Sequence, residues 1–163
     1  MAGIWLDPIM GYYARPDLFP IEETYALIRS LQPQVLVSFK QGANGTEDFA
    51  SPERSGSATL VEKVKEIAPV WAYVAEKAWA SNKQKHNEIC DTLQPSVWGY
   101  KKADADKLRT PDEVMRMLSG AWNSNCNLLL NTGPLPDGSI NPPEAAILST
   151  VGKRLRAEER IVD

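Results

Sequence analysis

Hydrophobic spacing changes several times along this chain, and each change marks an element. Ile4, Trp5 and Leu6 form a short unbroken apolar run that Asp7 and Pro8 end. A run of that kind reads as a strand entering a buried parallel sheet, with the acidic residue left at its rim. "GYYARPDLFP" reads as a turn-rich loop. In "PIEETYALIRSLQP" the apolar residues Tyr25, Ile28 and Leu31 recur at three-residue steps behind Pro20 and a pair of acids, which predicts an amphipathic helix ended by Pro33. "QVLVSFK" is β-branched and apolar, a second strand, and it runs into the long Gly-, Asn- and Ser-rich loop "QGANGTEDFASPERSGSA".

From Thr59 to about Lys83 the pattern is helical but broken at Pro69, so two pieces or a kink are expected. "NEICDTL" and "SVWGYKK" are short strands or extended segments. Thr110 and Pro111 cap the helix "PDEVMRMLSGAWNSN", and the strand "NLLLNTG" follows it. "NPPEAAILSTVGKRLRAEE" is a last helix that begins at proline and turns basic, as the helix dipole favours. Strand and helix thus alternate four times, which means parallel βαβ units in one α/β domain spanning residues 1–163. In such folds the loops after the strands share one face, where chemistry is kept.

Composition narrows the partners. Net charge is -3 and no Lys/Arg run occurs, so nucleic acid is not an expected partner. No stretch approaches the roughly 20 apolar residues of a membrane helix, and the chain opens without a signal-peptide pattern; its compartment is left open. Cys90 and Cys126 are too few for a disulfide framework and read as buried thiols. The single histidine, His86, lies near Cys90 without a second pair of ligands, so neither a metal nor another cofactor is expected.

Two carboxylates facing each other across a rim are the minimal equipment for glycoside hydrolysis. Asp7 is one candidate, and Glu47, Asp48, Glu53 and Glu88 compete for the other place. Trp5, Tyr12, Tyr13, Phe49, Trp98 and Tyr100 fall at or beside strand ends, where aromatic faces can stack on sugar rings, although each also suits a core. Trp71, Trp79 and Trp122 lie on helices and are expected in the core.

Taken in order, "GIWLDP", "LQPQVLVSFKQG", "EDFASPE", "NEICDTL", "SVWGYKK" and "NCNLLLNTGPLPDGSI" resemble the second half of the catalytic domain of glycoside hydrolase family 29 α-L-fucosidases, from about Gly3 to Leu155. The resemblance implies a retaining exo-hydrolase of α-L-fucosides on glycans or small aglycones, working through a glycosyl-aspartate. It implies Asp7 as nucleophile and Glu53 as acid/base, with Glu88 as the alternative acid/base. Trp5, Trp98 and Tyr100 would line the sugar, and Lys40 with Gln41 stand where the family commonly has a sugar-holding arginine. Lysine keeps that charge but not the bidentate fork. Pro8 also departs, since glycine usually follows the nucleophile.

A complete (β/α)8 barrel takes about 250 residues, and the upstream motifs with the family's fucose-gripping histidines have no counterpart here. The expected fold is therefore a partial, half (β/α)8 TIM-like barrel of about four parallel strands. Its open strand edges and apolar face call for covering, most simply by a homo-oligomer. Two other readings stand beside the enzyme: a carbohydrate-binding half barrel without turnover, and an inactive fragment needing the missing half.

Overall fold

The computed structural model describes residues 2–7, 9–54 and 58–162, and the chain divides into two compact units, residues 1–89 and 90–163. Pro8, expected to end the first strand, lies outside the described residues.

In the first unit, β1 (Gly3–Leu6) pairs in parallel with β2 (Leu36–Phe39), in the register Gly3 with Leu36, Trp5 with Ser38 and Leu6 with Phe39. Side chains alternate across a strand, so this register sorts the pair into two faces. Ile4, Leu6, Val37 and Phe39 go into the core built with α1 (Ile9–Ala14), α2 (Ile21–Leu31), α3 (Ala58–Ile67) and α4 (Ala72–Asn82). Trp5 and Ser38, and beyond the strand ends Asp7 and Lys40, share the opposite parity.

The helix over α2 forms as its spacing predicts, with Glu22 and Glu23 in the first turn and Arg29 in the last, where they complement the macrodipole. The break at Pro69 is a short 3-10 turn, Pro69–Trp71, between α3 and α4. One expectation fails: "GYYARPDLFP" is not a loop, because α1 and a 3-10 turn at Pro16–Leu18 occupy most of it. Ile9 and Tyr13, four residues apart, are both buried, and that shared stripe outweighs the turn-forming composition.

The loop from β2 to α3 is organised by a buried carboxylate. Glu47 is only 1% exposed. Its Oε1 accepts from the Tyr25 hydroxyl at 2.8 Å and the Ala43 amide at 2.7 Å; its Oε2 accepts from the Gly45 amide at 3.0 Å and Asn82 Nδ2 at 2.9 Å. Burial alone would raise its pKa, but the hydrogen bonds from Asn82, Ala43 and Tyr25 outweigh it and hold the group below the usual carboxylate range. Gly42 makes room for this knot, since its φ is 113° and a Cβ there would stand 2.2 Å from Asn82 Nδ2. Asp48 is also structural: Oδ2 accepts from Arg29 at 2.6 Å and from the Val37 amide at 2.7 Å.

β3 (Asn87–Thr92) begins in the first unit and ends in the second, where it pairs with β4 (Cys126–Asn131). Among the described residues the four strands form two two-stranded sheets, β1 with β2 and β3 with β4. The second unit's core joins Leu93, Val114 and Val151, with Leu130, Ile147 and Leu148 against them, from β4, α5 (Pro111–Asn123) and α6 (Pro142–Val162). Thr110 and Glu113 close the α5 capping box as expected. Cys90 and Cys126 are both buried.

"SVWGYKK" is irregular and not a strand, ending in a 3-10 turn at Lys102–Asp104. Trp122 is not core either: it is 59% exposed. It follows the buried Ala121 by one residue, a 100° step off the stripe that α5 buries. The "WGY" and "NTG" segments meet through a side-chain hydrogen bond and a close backbone approach. The Asn131 side-chain Nδ2 donates to the Trp98 carbonyl, and a Cβ on Gly133 would fall 2.2 Å from the Tyr100 nitrogen and 2.3 Å from the Gly99 carbonyl carbon.

Two stability outcomes follow. Gly133→Ala forces backbone against backbone and should lower stability by about 1–3 kcal/mol, read as a drop in the urea midpoint. Glu47→Gln leaves buried amides and a hydroxyl facing an NH2 group and should cost about 2–4 kcal/mol. Because the folded pKa of Glu47 is depressed, its contribution is complete above the unfolded carboxylate pKa, about 4.3, and is lost as pH falls through the lower folded value. Urea midpoints measured from pH 7 downward should therefore show a loss attributable to this group in the wild type that the Gln variant lacks.

Candidate active site

The parallel register places Asp7 beside Lys40, one residue past each strand end. Lys40 has a φ of 49°, in the left-handed region that a side chain enters only under constraint. Two hydrogen bonds supply the constraint: the Gly42 amide donates to the Phe39 carbonyl at 2.8 Å, and the Ser51 amide donates to the Lys40 carbonyl at 2.6 Å. The chain therefore turns back at Lys40, and the return limb carries Ser51, Pro52 and Glu53 to the end of β1.

At the centre of the site the Lys40 ammonium contacts Asp7 Oδ1 at 2.8 Å and Glu53 Oε1 at 2.6 Å. Both oxygens touch one nitrogen, so they lie no farther apart than the sum of those distances, about 5.4 Å. The ammonium also sits 4.5 Å from the centroid of the Trp5 ring, a cation–π contact. Burial would lower the Lys40 pKa, yet its hydrogen bonds to Asp7 and Glu53 prevail and hold it above the ordinary lysine value. Lys40 is 12% exposed, whereas Glu53 is 43% and Asp7 68% exposed, so the carboxylates face the open side. A pocket of roughly 200 Å³ opens there, lined by Asp7, Met10, Lys40, Gln41, Ser51 and Glu53 among others.

A second layer holds the indole. Trp5 Nε1 donates to Ser51 Oγ at 2.7 Å and to Glu88 Oε1 at 3.2 Å; Ser51 Oγ is also 3.2 Å from Glu88 Oε1 and 2.9 Å from Ser38 Oγ. The loop is clamped here by β3, whose Glu88 amide donates to the Ala50 carbonyl at 2.9 Å while Asn87 Oδ1 accepts from the Ala50 amide at 2.7 Å.

Of the residues expected from sequence, the structure brings Asp7, Glu53, Lys40, Gln41 and Trp5 together and sets Glu88 behind Trp5. Trp98, exposed, and Tyr100, half-buried, belong to the second unit. Glu47 and Asp48, two of the competing carboxylates, are spent on holding the loop. Sequence reasoning missed Ser38 and Ser51, both fully buried. A serine inside the apolar run "VLVSFK", at the parity of Lys40, was the available signal.

Solved structures share this fold. The chain aligns with α-L-fucosidase isoenzyme 1 from Paenibacillus thiaminolyticus at 24% identity and a TM-score of 0.63, over 98% of this chain and 35% of that one. It aligns with α-L-fucosidase AlfC from Lactobacillus casei, in complex with α-L-fucose product, at 22% identity and 0.57, over 83% of this chain and 35% of that one. A family 29 α-L-fucosidase from Bacteroides thetaiotaomicron, trapped as a covalent intermediate, gives 19% and 0.64, over 96% and 35%. The chain thus spans about a third of the length of these structures. No curated protein matches it. The family model for α-L-fucosidase matches residues 2–159, and the chain belongs to the α-L-fucosidase family.

Proposed function

We propose that this chain is a retaining α-L-fucosidase unit in which Asp7 is the nucleophile and Glu53 the acid/base. The observation that carries the reading is the limit of about 5.4 Å between Asp7 Oδ1 and Glu53 Oε1. Retaining glycosidases keep their carboxyl groups about 5–5.5 Å apart, whereas inverting ones leave roughly 6.5–9.5 Å for a water. In the first step Asp7 attacks the anomeric carbon and the bond to the leaving oxygen breaks as Glu53 gives that oxygen a proton. In the second, Glu53 takes a proton from water, the water oxygen bonds the anomeric carbon, and the bond to Asp7 breaks. The Bacteroides relative's covalent intermediate fits this two-step course.

Glu53 is preferred to Glu88 because of what each touches. Glu88 accepts from Trp5 and Ser51 and so orients the indole, while Glu53 borders the pocket beside Asp7. Trp5 and Gln41 are read as sugar contacts, and α-L-fucosides, free or on glycans, as the substrates. The chain is read as one (β/α) catalytic domain, a half barrel that a second copy completes. Among the described residues β1 pairs with β2 alone, and the edge this leaves supports that assembly.

The purified chain should release nitrophenol from 4-nitrophenyl α-L-fucoside and run at a multiple of 18.1 kDa in light scattering. Asp7→Ala should lose activity by at least about 10³-fold, and azide should restore turnover as the β-fucosyl azide. Glu53→Gln should lose roughly 10²–10⁴-fold on glycans with poor leaving groups, less on the nitrophenyl substrate, and yield the α-fucosyl azide. If Glu88→Gln gives that product instead, the acid/base roles are reversed. A folded chain that binds fucose but never turns over would identify a binding half barrel.

A further inference from the structure

Lys40 makes a set of contacts that a sugar-holding cation does not need. Its ammonium touches the two carboxylates from different parts of the chain, Asp7 at the end of β1 and Glu53 on the return limb of the loop, and rests against the face of Trp5. The backbone at Lys40 is held in the left-handed region by hydrogen bonds on both sides, so the side chain starts from a constrained point. Glu53 follows Pro52 on a limb fixed upstream by the Ala50 contacts with Asn87 and Glu88, and its Oε1 accepts from the Lys40 ammonium at 2.6 Å.

We infer that Lys40 is the positioning residue of this site, a strut that sets the separation of Asp7 and Glu53 and that yields at least one of those contacts when a sugar enters between them. The inference rests on the reading of Asp7 and Glu53 as the reacting pair. An ammonium in contact with both oxygens stands on the ground that the anomeric carbon must occupy in the first step. The strut therefore serves two states: without ligand it draws two like charges together, and with ligand it retreats toward the Trp5 face that already attracts it. The charged groups facing it are Asp7 and Glu53, with Lys63 also lining the pocket and Glu88 behind the indole.

A strut differs from a sugar contact in kinetics. Loss of a contact made equally in ground and transition states raises KM, while misplacement of the reacting groups lowers kcat. Lys40→Met, similar in length and uncharged, should lower kcat for 4-nitrophenyl α-L-fucoside about 100-fold, the scale of a 1 Å misplacement, with KM changed less than about threefold. Lys40→Arg, which keeps the charge on a wider and more rigid fork, should recover only part of that loss. A raised KM with kcat intact would overturn the strut and leave the fucosidase reading standing.

A second readout needs no turnover. In the ligand-free chain, acylation followed by mass spectrometry should label Lys40 more slowly than the exposed Lys63, and the double variant Asp7→Asn, Glu53→Gln should raise the Lys40 rate by roughly tenfold, because an ammonium held by two carboxylates rarely loses its proton. An unchanged rate in the double variant would overturn the inference. Protection by the carboxylates in a chain that hydrolyses no fucoside would support the strut while removing the catalytic reading.

Discussion

A carboxylate that hardly meets water holds the functional loop in place. Glu47 draws the Tyr25 hydroxyl, three loop amides and the Asn82 side chain onto its two oxygens. Tyr25 belongs to α2 and Asn82 to α4, so one charge ties two helices to the turn that follows β2. A buried charge with this many donors is favourable only as a complete set, since each donor removed leaves the rest with an incompletely compensated anion. That all-or-none character gives a Gly- and Ser-rich loop one conformation, although its composition would allow many.

From that anchor the site follows by geometry. The knot fixes the outward limb of the loop at residues 42–47, and β3 fixes the return limb at Ala50. Ahead of both, just past β2, the Gly42 and Ser51 amides bind the Phe39 and Lys40 carbonyls, which accounts for the left-handed backbone at Lys40. Parallel pairing with β1 then does the rest: a register that sets Trp5 opposite Ser38 sets Asp7 next to Lys40. Core packing and site assembly are two faces of the same strand pair, and a slip of one residue would exchange them.

How much of this could be read beforehand depends on the range of the interaction. β1, β2, α2, the break at Pro69 and the capped α5 were legible because spacing, proline and caps act within a few residues. α1 was missed since "GYYARP" carries turn-forming residues, and the stripe that decides the matter has only Ile9 and Tyr13 in it. Asp7 and Glu53 were legible as candidates through the order of motifs. That Glu47 is structural while Glu53 faces a pocket was not, because the two differ in contacts with Tyr25, Asn82 and Lys40, tens of positions away in some cases, and not in their neighbours along the chain. Trp98 and Tyr100 illustrate the converse: "WGY" and "NTG" stand out in sequence, and part of what they encode is a close backbone approach over Gly133.

The sign of the charge balance explains why a lysine can serve at this place. Two carboxylate oxygens within about 5.4 Å of each other repel, but the ammonium that both touch lies at 2.8 and 2.6 Å. Coulomb energy falls as the inverse of distance, and any common dielectric cancels from the ratio, so the two attractions exceed the one repulsion by up to about fourfold. Exposure of Asp7 and Glu53 weakens all three terms together and leaves their order unchanged. A guanidinium would offer a wider fork with two fixed directions, better suited to gripping a bound hydroxyl pair or a single carboxylate. A compact ammonium on a flexible stem can instead touch both oxygens at once and leave along the indole face. Lysine at this position therefore suits holding the two carboxylates close together.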